Sequence, residues 1–292
     1  MSALAFGGSW TERKLSVVRE YLKLYATALK KQPSPEKPFT RIYIDAFAGT
    51  GDRKVKRLES QPLLDLPDLD AMAKSSTRLA LDVEPAFHRY IFIERVTKRA
   101  GELDALKSQY LNRNIDVVNK DANDAIKELC RTTNWRVTRG VVFLDPYGLQ
   151  VSWDTLIAIS QTRAIDVWIL FPSGMGLNRL LTKDGNIPQE WQDTLDRALG
   201  KTEWRSVFYR NEEVPDLFEG SRRTTVKDAG ADKFESFYLN QLRSIFPTVM
   251  DPSVHLTNSK EQTMYLLCFA SANPSRKVKE LAPKLARWAA KV

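Results

Sequence analysis

Short apolar segments alternate with amphipathic segments along this chain, and this alternation restricts the fold more than any other feature. The predicted strands lie at 41–47, 88–93, 115–118, 141–144 and 165–171, and the predicted helices between them at 76–82, 97–111, 122–130 and 152–162. Each strand is a continuous apolar run, as expected for strands that are buried on both faces of a parallel sheet. The pattern therefore predicts an α/β fold with helices on both sides of a mostly parallel sheet.

The second half of the chain departs from this alternation. Residues 176–232 are polar and partly helical, and we interpret them as an inserted cap or substrate-recognition lobe. Two further strands are predicted at 254–257 and 263–270 with no helix between them, which requires an antiparallel hairpin at the sheet edge and gives seven strands in all. Residues 52–75 are polar and irregular and predict an inserted loop. Apart from these insertions, residues 1–292 are expected to form one domain.

The composition is that of an ordinary globular protein, with 43% hydrophobic and 27% charged residues. No apolar run approaches the roughly 20 residues that cross a bilayer, and the N-terminus lacks the pattern of a secretory signal, so we expect a cytoplasmic protein without membrane contact. Cys130 and Cys268 lie far apart without metal-ligand spacing, which predicts reduced thiols and no metal site. The net charge of +8 indicates an anionic partner such as nucleic acid, with a generic basic surface as the alternative.

The strongest functional signal is the segment DAFAGTG, from Asp45 to Gly51. The first strand delivers an acidic residue to the carboxyl edge of the sheet, where ligands of open α/β sheets bind. Gly49 and Gly51 allow the backbone to approach a ligand that a Cβ atom would exclude. The chain has no G-x-x-x-x-G-K-[ST] motif, and residues 52–54 do not complete G-x-G-x-x-G. The loop therefore favours a cationic, phosphate-free ligand over NAD, with a purely structural turn as the alternative.

Acidic residues also follow the second and third strands. Glu94 closes the second strand, where its carboxylate can accept hydrogen bonds from both hydroxyls of a ribose, although a surface acid is the alternative. Asp121 follows the third strand and can accept a hydrogen bond from an adenine amino group. The alternative there is that one of residues 122–124 caps the next helix.

The fourth strand ends in Asp145-Pro146-Tyr147-Gly148, beside the expected ligand pocket. A carboxylate at this position can accept a hydrogen bond from an acceptor amine. Pro146 stiffens the turn, and Tyr147 offers a ring on which a planar base can stack. A simple transition from strand to turn is the alternative.

Together these motifs resemble the class I S-adenosylmethionine-dependent methyltransferases, above all those that methylate exocyclic amines of nucleic acids. More narrowly, three features resemble the three-Cys-motif partner protein family: the N-terminal helix with Trp10-Thr11, the segment YIDAFAGTG, and VFLDPYG with Trp153 downstream. The resemblance covers most of the chain outside the insertions. It implies a Rossmann-like methyltransferase fold and a partner that carries a three-cysteine, radical-S-adenosylmethionine-like motif.

The resemblance also implies roles for individual residues. The residues expected to bind S-adenosylmethionine are Asp45, Phe47, Gly49, Gly51, Glu94 and Asp121, and the expected catalytic residues are Asp145, Pro146 and Tyr147. The expected function is transfer of a methyl group to an exocyclic amine of a nucleic acid base. Amine-methylating enzymes of DNA usually have two prolines in this motif, whereas here a single proline precedes the tyrosine and a glycine follows it, as in some tRNA guanine methyltransferases.

This departure keeps a second hypothesis open, that of a non-catalytic partner subunit that binds the cofactor or has lost it. A third hypothesis, an NAD(P) oxidoreductase, is disfavoured because the third glycine of the dinucleotide motif is missing. Two basic clusters are candidates for contacts with a phosphate backbone, with solvated basic loops as the alternative. They consist of Arg53, Lys54, Lys56 and Arg57 after the glycine loop, and of Arg222 and Arg223 in the later insertion.

Overall fold

An eight-stranded sheet forms the centre of the protein. The computed structural model describes residues 9–48, 76–200, 204–216 and 220–292. The strands are β1 (Thr40–Asp45), β2 (Arg89–Ile93), β3 (Ile115–Val118), β4 (Thr138–Leu144), β5 (Ile165–Phe171), β6 (Tyr209–Asp216), β7 (Gly220–Lys227), β8 (Thr248–Val249), β9 (Val254–Thr257) and β10 (Thr263–Ser271). Strands β1 to β5 are parallel and lie in the order β3-β2-β1-β4-β5, and β10 pairs antiparallel with β5. This order is that of a doubly wound, Rossmann-like sheet.

Helices cover both faces of the sheet. They are α1 (Ser9–Ala28), α2 (76–81), α3 (Thr97–Asp104), α4 (Leu106–Gln109), α5 (Ala122–Thr132), α6 (Trp153–Gln161), α7 (Asn178–Leu180), α8 (Gln189–Leu199), α9 (Trp204–Phe208), α10 (Ala231–Ile245) and α11 (Arg276–Ala289), with a π-helix at Ser173–Leu177. One face packs against α1 to α4 and α11, and the other against α5, α6 and α8 to α10. Within the described ranges, none of the helices has the length and apolar character that a bilayer span requires.

The strands are buried on both faces, which explains their uninterrupted apolar sequences. In β1, Tyr43 packs in the cluster under α1 and α11, whereas Ile42 and Ile44 pack in the cluster under α5 and α6. Because successive side chains of a strand point to opposite faces, both sets must be apolar. The predicted α/β fold, with a mostly parallel, Rossmann-like sheet and an antiparallel hairpin of β9 and β10 at its edge, is confirmed.

The edge of the sheet contains one more strand than predicted. The two short strands β8 and β9 both pair with β10, so the sheet has eight strands in place of the expected seven. Pro252 lies between the two strands and has no backbone N–H to donate, which interrupts the pairing at this point.

The region 176–232 contains a β-hairpin that sequence analysis did not predict. Strands β6 and β7 pair antiparallel along their whole length and form a separate two-stranded sheet. Both strands are rich in polar residues, so no apolar alternation marks them in the sequence. Helices α8 and α9 of the same region contribute Leu195, Leu199 and Trp204 to the main hydrophobic core.

Two polar contacts fix the direction of α1 across the sheet. The Tyr21 hydroxyl donates to Oδ2 of Asp166 at 2.6 Å, and the Tyr25 hydroxyl donates to the carbonyl of Gly140 at 3.2 Å. Asp166 and Gly140 lie near the beginnings of β5 and β4. The first turns of α1 therefore reach the opposite edge, at the carboxyl ends of the parallel strands, where ligands bind in folds of this type.

Candidate functional site

The parallel register brings three predicted site residues to one edge of the sheet. Asp45 pairs with Phe92 of β2 and with Phe143 of β4. Glu94 and Asp145 each come two residues after these partners, so all three carboxyl groups lie at the carboxyl ends of neighbouring strands.

Asp45 is a buried carboxyl group, with only 1% of its surface exposed. The Ser76 hydroxyl donates to its Oδ2 at 3.0 Å, and the Phe47 amide donates to its Oδ1 at 3.3 Å. Burial raises the pKa of Asp45 to about 7, and the Asp145 carboxylate acts in the same direction, against the two hydrogen bonds and the charge of Lys14. A cationic ligand next to Asp45 would compensate for the cost of burying its charge.

The chain leaves β1 directly toward Glu94. The Ala48 amide donates to the carbonyl of Ile93 at 3.0 Å, so the described part of the loop ends beside the last residue of β2. Gly49 and Gly51 of the predicted cofactor loop lie outside the described residues. Phe47 is half-buried and packs against the core under α5 and α6.

Glu94 is also buried, and its side chain is held by its own loop. The Val96 amide donates to Oε1 at 2.6 Å, and Nη1 of Arg99 lies 4.0 Å from Oε2. The Asn119 side chain donates to the Glu94 carbonyl at 2.8 Å, which ties the ends of β2 and β3 together.

Asp121 caps helix α5. Its Oδ1 accepts hydrogen bonds from the amides of Asn123 at 2.9 Å and Asp124 at 3.4 Å. The alternative cap at one of residues 122–124 is therefore wrong, because the acidic residue immediately after the third strand performs this role itself. The cap fixes the orientation of the Asp121 carboxyl group at the end of β3.

Asp145 forms an ion pair with a residue that sequence analysis did not select. Nζ of Lys14, in α1, donates to Oδ2 of Asp145 at 2.6 Å. The lysine side chain is 1% exposed and the aspartate side chain 22% exposed. The sequence does contain one indication of this role. Lys14 lies three and four residues before the buried Val17 and Val18, so the helical spacing places this lysine on the apolar face of α1.

The turn after Asp145 is held by hydrogen bonds and presents Tyr147 to solvent. Gly148 has a φ of 71°, a conformation that glycine adopts without strain. The Tyr147 amide donates to Oε1 of Gln150 at 3.1 Å, while Pro146 is buried. Asn123 of α5 fixes the following residues, since its side chain donates to the Gln150 carbonyl and accepts from the Ser152 amide. The ring of Tyr147, 46% exposed, is thus displayed on a fixed turn.

Two further aromatic residues lie close to Asp145. The rings of Trp10 in α1 and Tyr265 in β10 stack, with centroids 4.9 Å apart. Burial raises the pKa of Tyr265, and the charges of Asp145 and Tyr147 act in the same direction. Trp10 belongs to the N-terminal segment that carries the family resemblance, but no role was predicted for its ring, and Tyr265 carries no motif that could have assigned it to the site.

The structure describes only part of the predicted basic clusters. Arg53, Lys54, Lys56 and Arg57 lie outside the described residues, as does the predicted insertion at 52–75. Arg222 and Arg223 lie on β7, where the backbone register places Arg223 opposite Glu213 of β6. Arg210 and Glu212 form an ion pair on the same hairpin. The hairpin therefore carries both signs of charge.

No protein-family model matches this chain, and none of the curated proteins matches it. One similar solved structure is that of protein LPL1258 from Legionella pneumophila, with 16% identity, 82% of this chain and 93% of that chain covered, and a TM-score of 0.38. Another is the putative methyltransferase yhhF from Escherichia coli, with 15% identity, coverages of 73% and 86%, and a TM-score of 0.30. A third is the N-terminal domain of EvdMO1 in the presence of SAH and D-fucose, with 11% identity, coverages of 87% and 82%, and a TM-score of 0.35. At these TM-scores, the likenesses carry no argument about this chain.

Proposed function

We propose that the protein is an S-adenosylmethionine-dependent methyltransferase that acts on an exocyclic amine of a nucleic acid base. The observation that carries the proposal is the pair of carboxyl groups at the ends of β1 and β4. Asp45 is buried at the cofactor side, whereas Asp145 is partly exposed and is followed by the exposed ring of Tyr147.

The donor set at the carboxyl edge fits a cationic nucleoside. The positive charge of such a ligand would stabilise the buried Asp45 carboxylate. Glu94 offers carboxylate oxygens to the ribose hydroxyls. We assign contacts with the cofactor to Phe47, Gly49 and Gly51, and we assign to Asp121 a hydrogen bond from the adenine amino group. When bound, S-adenosylmethionine supplies a methyl group activated by a sulfonium.

The acceptor site is assigned to the turn after β4. Asp145 accepts a hydrogen bond from the acceptor amine, Tyr147 stacks on the base, and Pro146 keeps the turn in place. With the cofactor bound, the acceptor nitrogen would bond to the methyl carbon as the sulfonium S–C bond breaks, S-adenosylhomocysteine would leave, and the amine would release one proton to solvent. The protein contributes mainly by holding the amine in line with the methyl group, since correct orientation of two reactants supplies a large part of the rate of such transfers.

Nucleic acid as the substrate is supported by the net charge of +8 and by the exposed aromatic ring. We assign contacts with the phosphate backbone to Arg53, Lys54, Lys56 and Arg57. Arg222 and Arg223 are assigned the same role with a smaller contribution, because Glu213 lies opposite Arg223 and offsets its charge.

A second candidate function is that of a non-catalytic, cofactor-binding subunit of a three-cysteine, radical-S-adenosylmethionine-like protein. The ion pair of Lys14 and Asp145 favours it, because one oxygen of the proposed acceptor carboxylate is already occupied. The single proline of the motif at Pro146 points in the same direction.

The two functions are distinguished by an assay of tritiated methyl transfer from S-adenosylmethionine to tRNA, to DNA and to the three-cysteine protein. If the protein is a methyltransferase of this kind, one of the two nucleic acids should become labelled, and added S-adenosylhomocysteine should suppress the labelling. If the protein binds the cofactor but transfers no label to any of the three acceptors, the methyltransferase proposal is wrong and the non-catalytic subunit is favoured. Label in the protein alone would contradict the assigned substrate class.

A further inference from the structure

Lys14 lies in the candidate site although it belongs to none of the sequence motifs. Its ammonium group is buried and is 2.6 Å from Oδ2 of Asp145. A buried ammonium group is costly unless it is paired and hydrogen-bonded, so Asp145 is what makes this position stable. Helix α1 is fixed at its far end by Tyr21 and Tyr25, and it therefore holds the lysine at the carboxyl edge of the sheet.

Aromatic side chains from three elements surround this ion pair. The ring of Trp10 lies 5.7 Å from Nζ of Lys14 and stacks on Tyr265 of β10. Phe143 of β4 lies 5.8 Å from the same nitrogen. Tyr147 adds an exposed ring two residues after Asp145. The partly exposed carboxyl group is thus accompanied by flat, apolar surfaces.

Such a site distinguishes between classes of acceptor. Because the ammonium group of Lys14 already balances the charge of Asp145, a second cation such as an alkylammonium group gains little from this carboxylate. A neutral amino group on a planar ring needs only one acceptor oxygen, and its ring can stack on an aromatic side chain.

Building on the proposed function, we propose that Lys14 is a positioning residue of the acceptor site, which holds Oδ2 of Asp145 and leaves Oδ1 for a neutral, planar amine. Lys14 thereby makes α1 a determinant of specificity. The site accepts a base with an exocyclic amino group and rejects the alkylammonium group of a protein lysine.

The test compares the full chain with its Lys14→Met and Lys14→Arg variants in tritiated methyl transfer to tRNA and DNA. Lys14→Met should lower kcat/KM about 10- to 100-fold, the loss expected for one charge-assisted hydrogen bond. Lys14→Arg should retain most of the rate, because an arginine can make the same contact.

The pH dependence of the Lys14→Met variant separates positioning from a merely structural role. In the wild type, the positive charge of Lys14 lowers the pKa of the buried Asp45, whereas burial and the charge of Asp145 raise it to about 7, with the Tyr43 hydroxyl close to the same carboxyl groups. Removal of the lysine should therefore raise the pKa of Asp45, and the pH profile of transfer by Lys14→Met should shift to higher pH than that of the wild type. A structural role would instead lower the melting temperature and the transfer rate in parallel at every pH.

Lys23→Met, on the exposed side of the same helix, is the matched control and should behave as the wild type. An N-blocked lysine amide serves as the alkylammonium probe, which the wild type should leave unlabelled. A Lys14→Met variant with the wild-type rate and pH profile would overturn the role of Lys14 and leave the methyltransferase proposal intact. A wild type that labels nucleic acid and also labels the lysine probe would likewise overturn only the specificity assigned to Lys14. A wild type that labels neither nucleic acid would overturn both.

Discussion

Helix α1 makes polar contacts with both edges of the sheet, and the two contacts differ in their access to solvent. At the amino edge, the Tyr21 hydroxyl and the Asp166 carboxyl group are both buried. Burial raises the pKa of Asp166 to about 6, against hydrogen bonds from Ser271 and Tyr21. At the carboxyl edge, Lys14 is buried in the same way, but its partner Asp145 is 22% exposed.

This difference distinguishes a structural contact, Tyr21 with Asp166, from a contact in the candidate site, Lys14 with Asp145. A buried polar group whose partners all belong to the protein stabilises one arrangement of the fold. A carboxyl group that is fixed by a buried lysine and still reaches solvent can receive a ligand as well. The same helix therefore provides stability at one edge and a functional contact at the other, and the following changes test this division.

Asp145→Ala should have the largest effect. Methyl transfer should fall about 100- to 1000-fold, as for the loss of a preorganised polar group in an active site, while the affinity for S-adenosylmethionine is retained. Tritiated methyl transfer and calorimetry measure the two quantities. The melting temperature should also fall, because the ammonium group of Lys14 is left buried without its partner.

Asp154→Ala, an exposed acid in the first turn of α6, is the matched control and should leave transfer unchanged. If the cofactor affinity of Asp145→Ala collapses together with transfer, the assignment of Asp145 to the acceptor site is wrong.

The pH dependence of cofactor binding should come next in size. Asp45 has a pKa of about 7 in the folded protein against 3.8 ordinarily, so its burial destabilises the free protein increasingly as the pH rises from about 4 through 7. A cationic ligand favours the ionised carboxylate, and the affinity for S-adenosylmethionine should therefore weaken by up to about tenfold per pH unit below 7. Calorimetric titrations at a series of pH values measure this slope.

Asp45→Asn supplies the control for that series, because an amide does not titrate in this range. An affinity that responds to pH equally in the wild type and in Asp45→Asn would exclude Asp45 as the group responsible.

Tyr21→Phe tests the structural contact at the amino edge. Removal of the hydroxyl takes a buried hydrogen bond from the Asp166 carboxyl group and should lower the free energy of unfolding by about 2 kcal/mol. Transfer per folded molecule should stay at the wild-type level. Urea denaturation gives the first quantity, and Tyr25→Phe, whose hydroxyl donates to a neutral carbonyl at 3.2 Å, should cost about half as much.

Tyr147→Ala should have the smallest effect on the protein itself. The melting temperature should change little, because Tyr147 is 46% exposed. The KM for the nucleic acid should rise about tenfold, the loss of one stacking contact, and Tyr147→Phe should restore it. Equal KM values for the alanine and phenylalanine variants would show that no base stacks on this ring.

Much of the carboxyl edge could be predicted from the sequence, because parallel strands end at the same edge. Apolar runs located β1, β2 and β4, and the acids Asp45, Glu94 and Asp145 directly follow them. These three side chains could therefore be predicted to lie at the carboxyl edge of the sheet before any contact between them was known.

The remaining parts of the site depend on contacts that are distant in sequence. Lys14 meets Asp145 across 131 positions, and this contact depends on how α1 crosses the sheet, which its periodicity does not specify. Tyr265 comes to the site through the antiparallel pairing of β10 with β5, and no motif marks it. The hairpin of β6 and β7 escaped prediction for another reason, namely that its polar strands lack an apolar alternation.

Calorimetric titration of the full chain with S-adenosylmethionine tests the proposed cofactor site most directly. One molecule should bind per chain, and Glu94→Gln should lower the affinity at least about tenfold through the loss of a charged acceptor. Tyr21→Phe and Tyr147→Ala should bind the cofactor as the wild type does. Absence of binding, or an affinity that Glu94→Gln leaves unchanged, would contradict the placement of the cofactor at the carboxyl ends of β1 and β2.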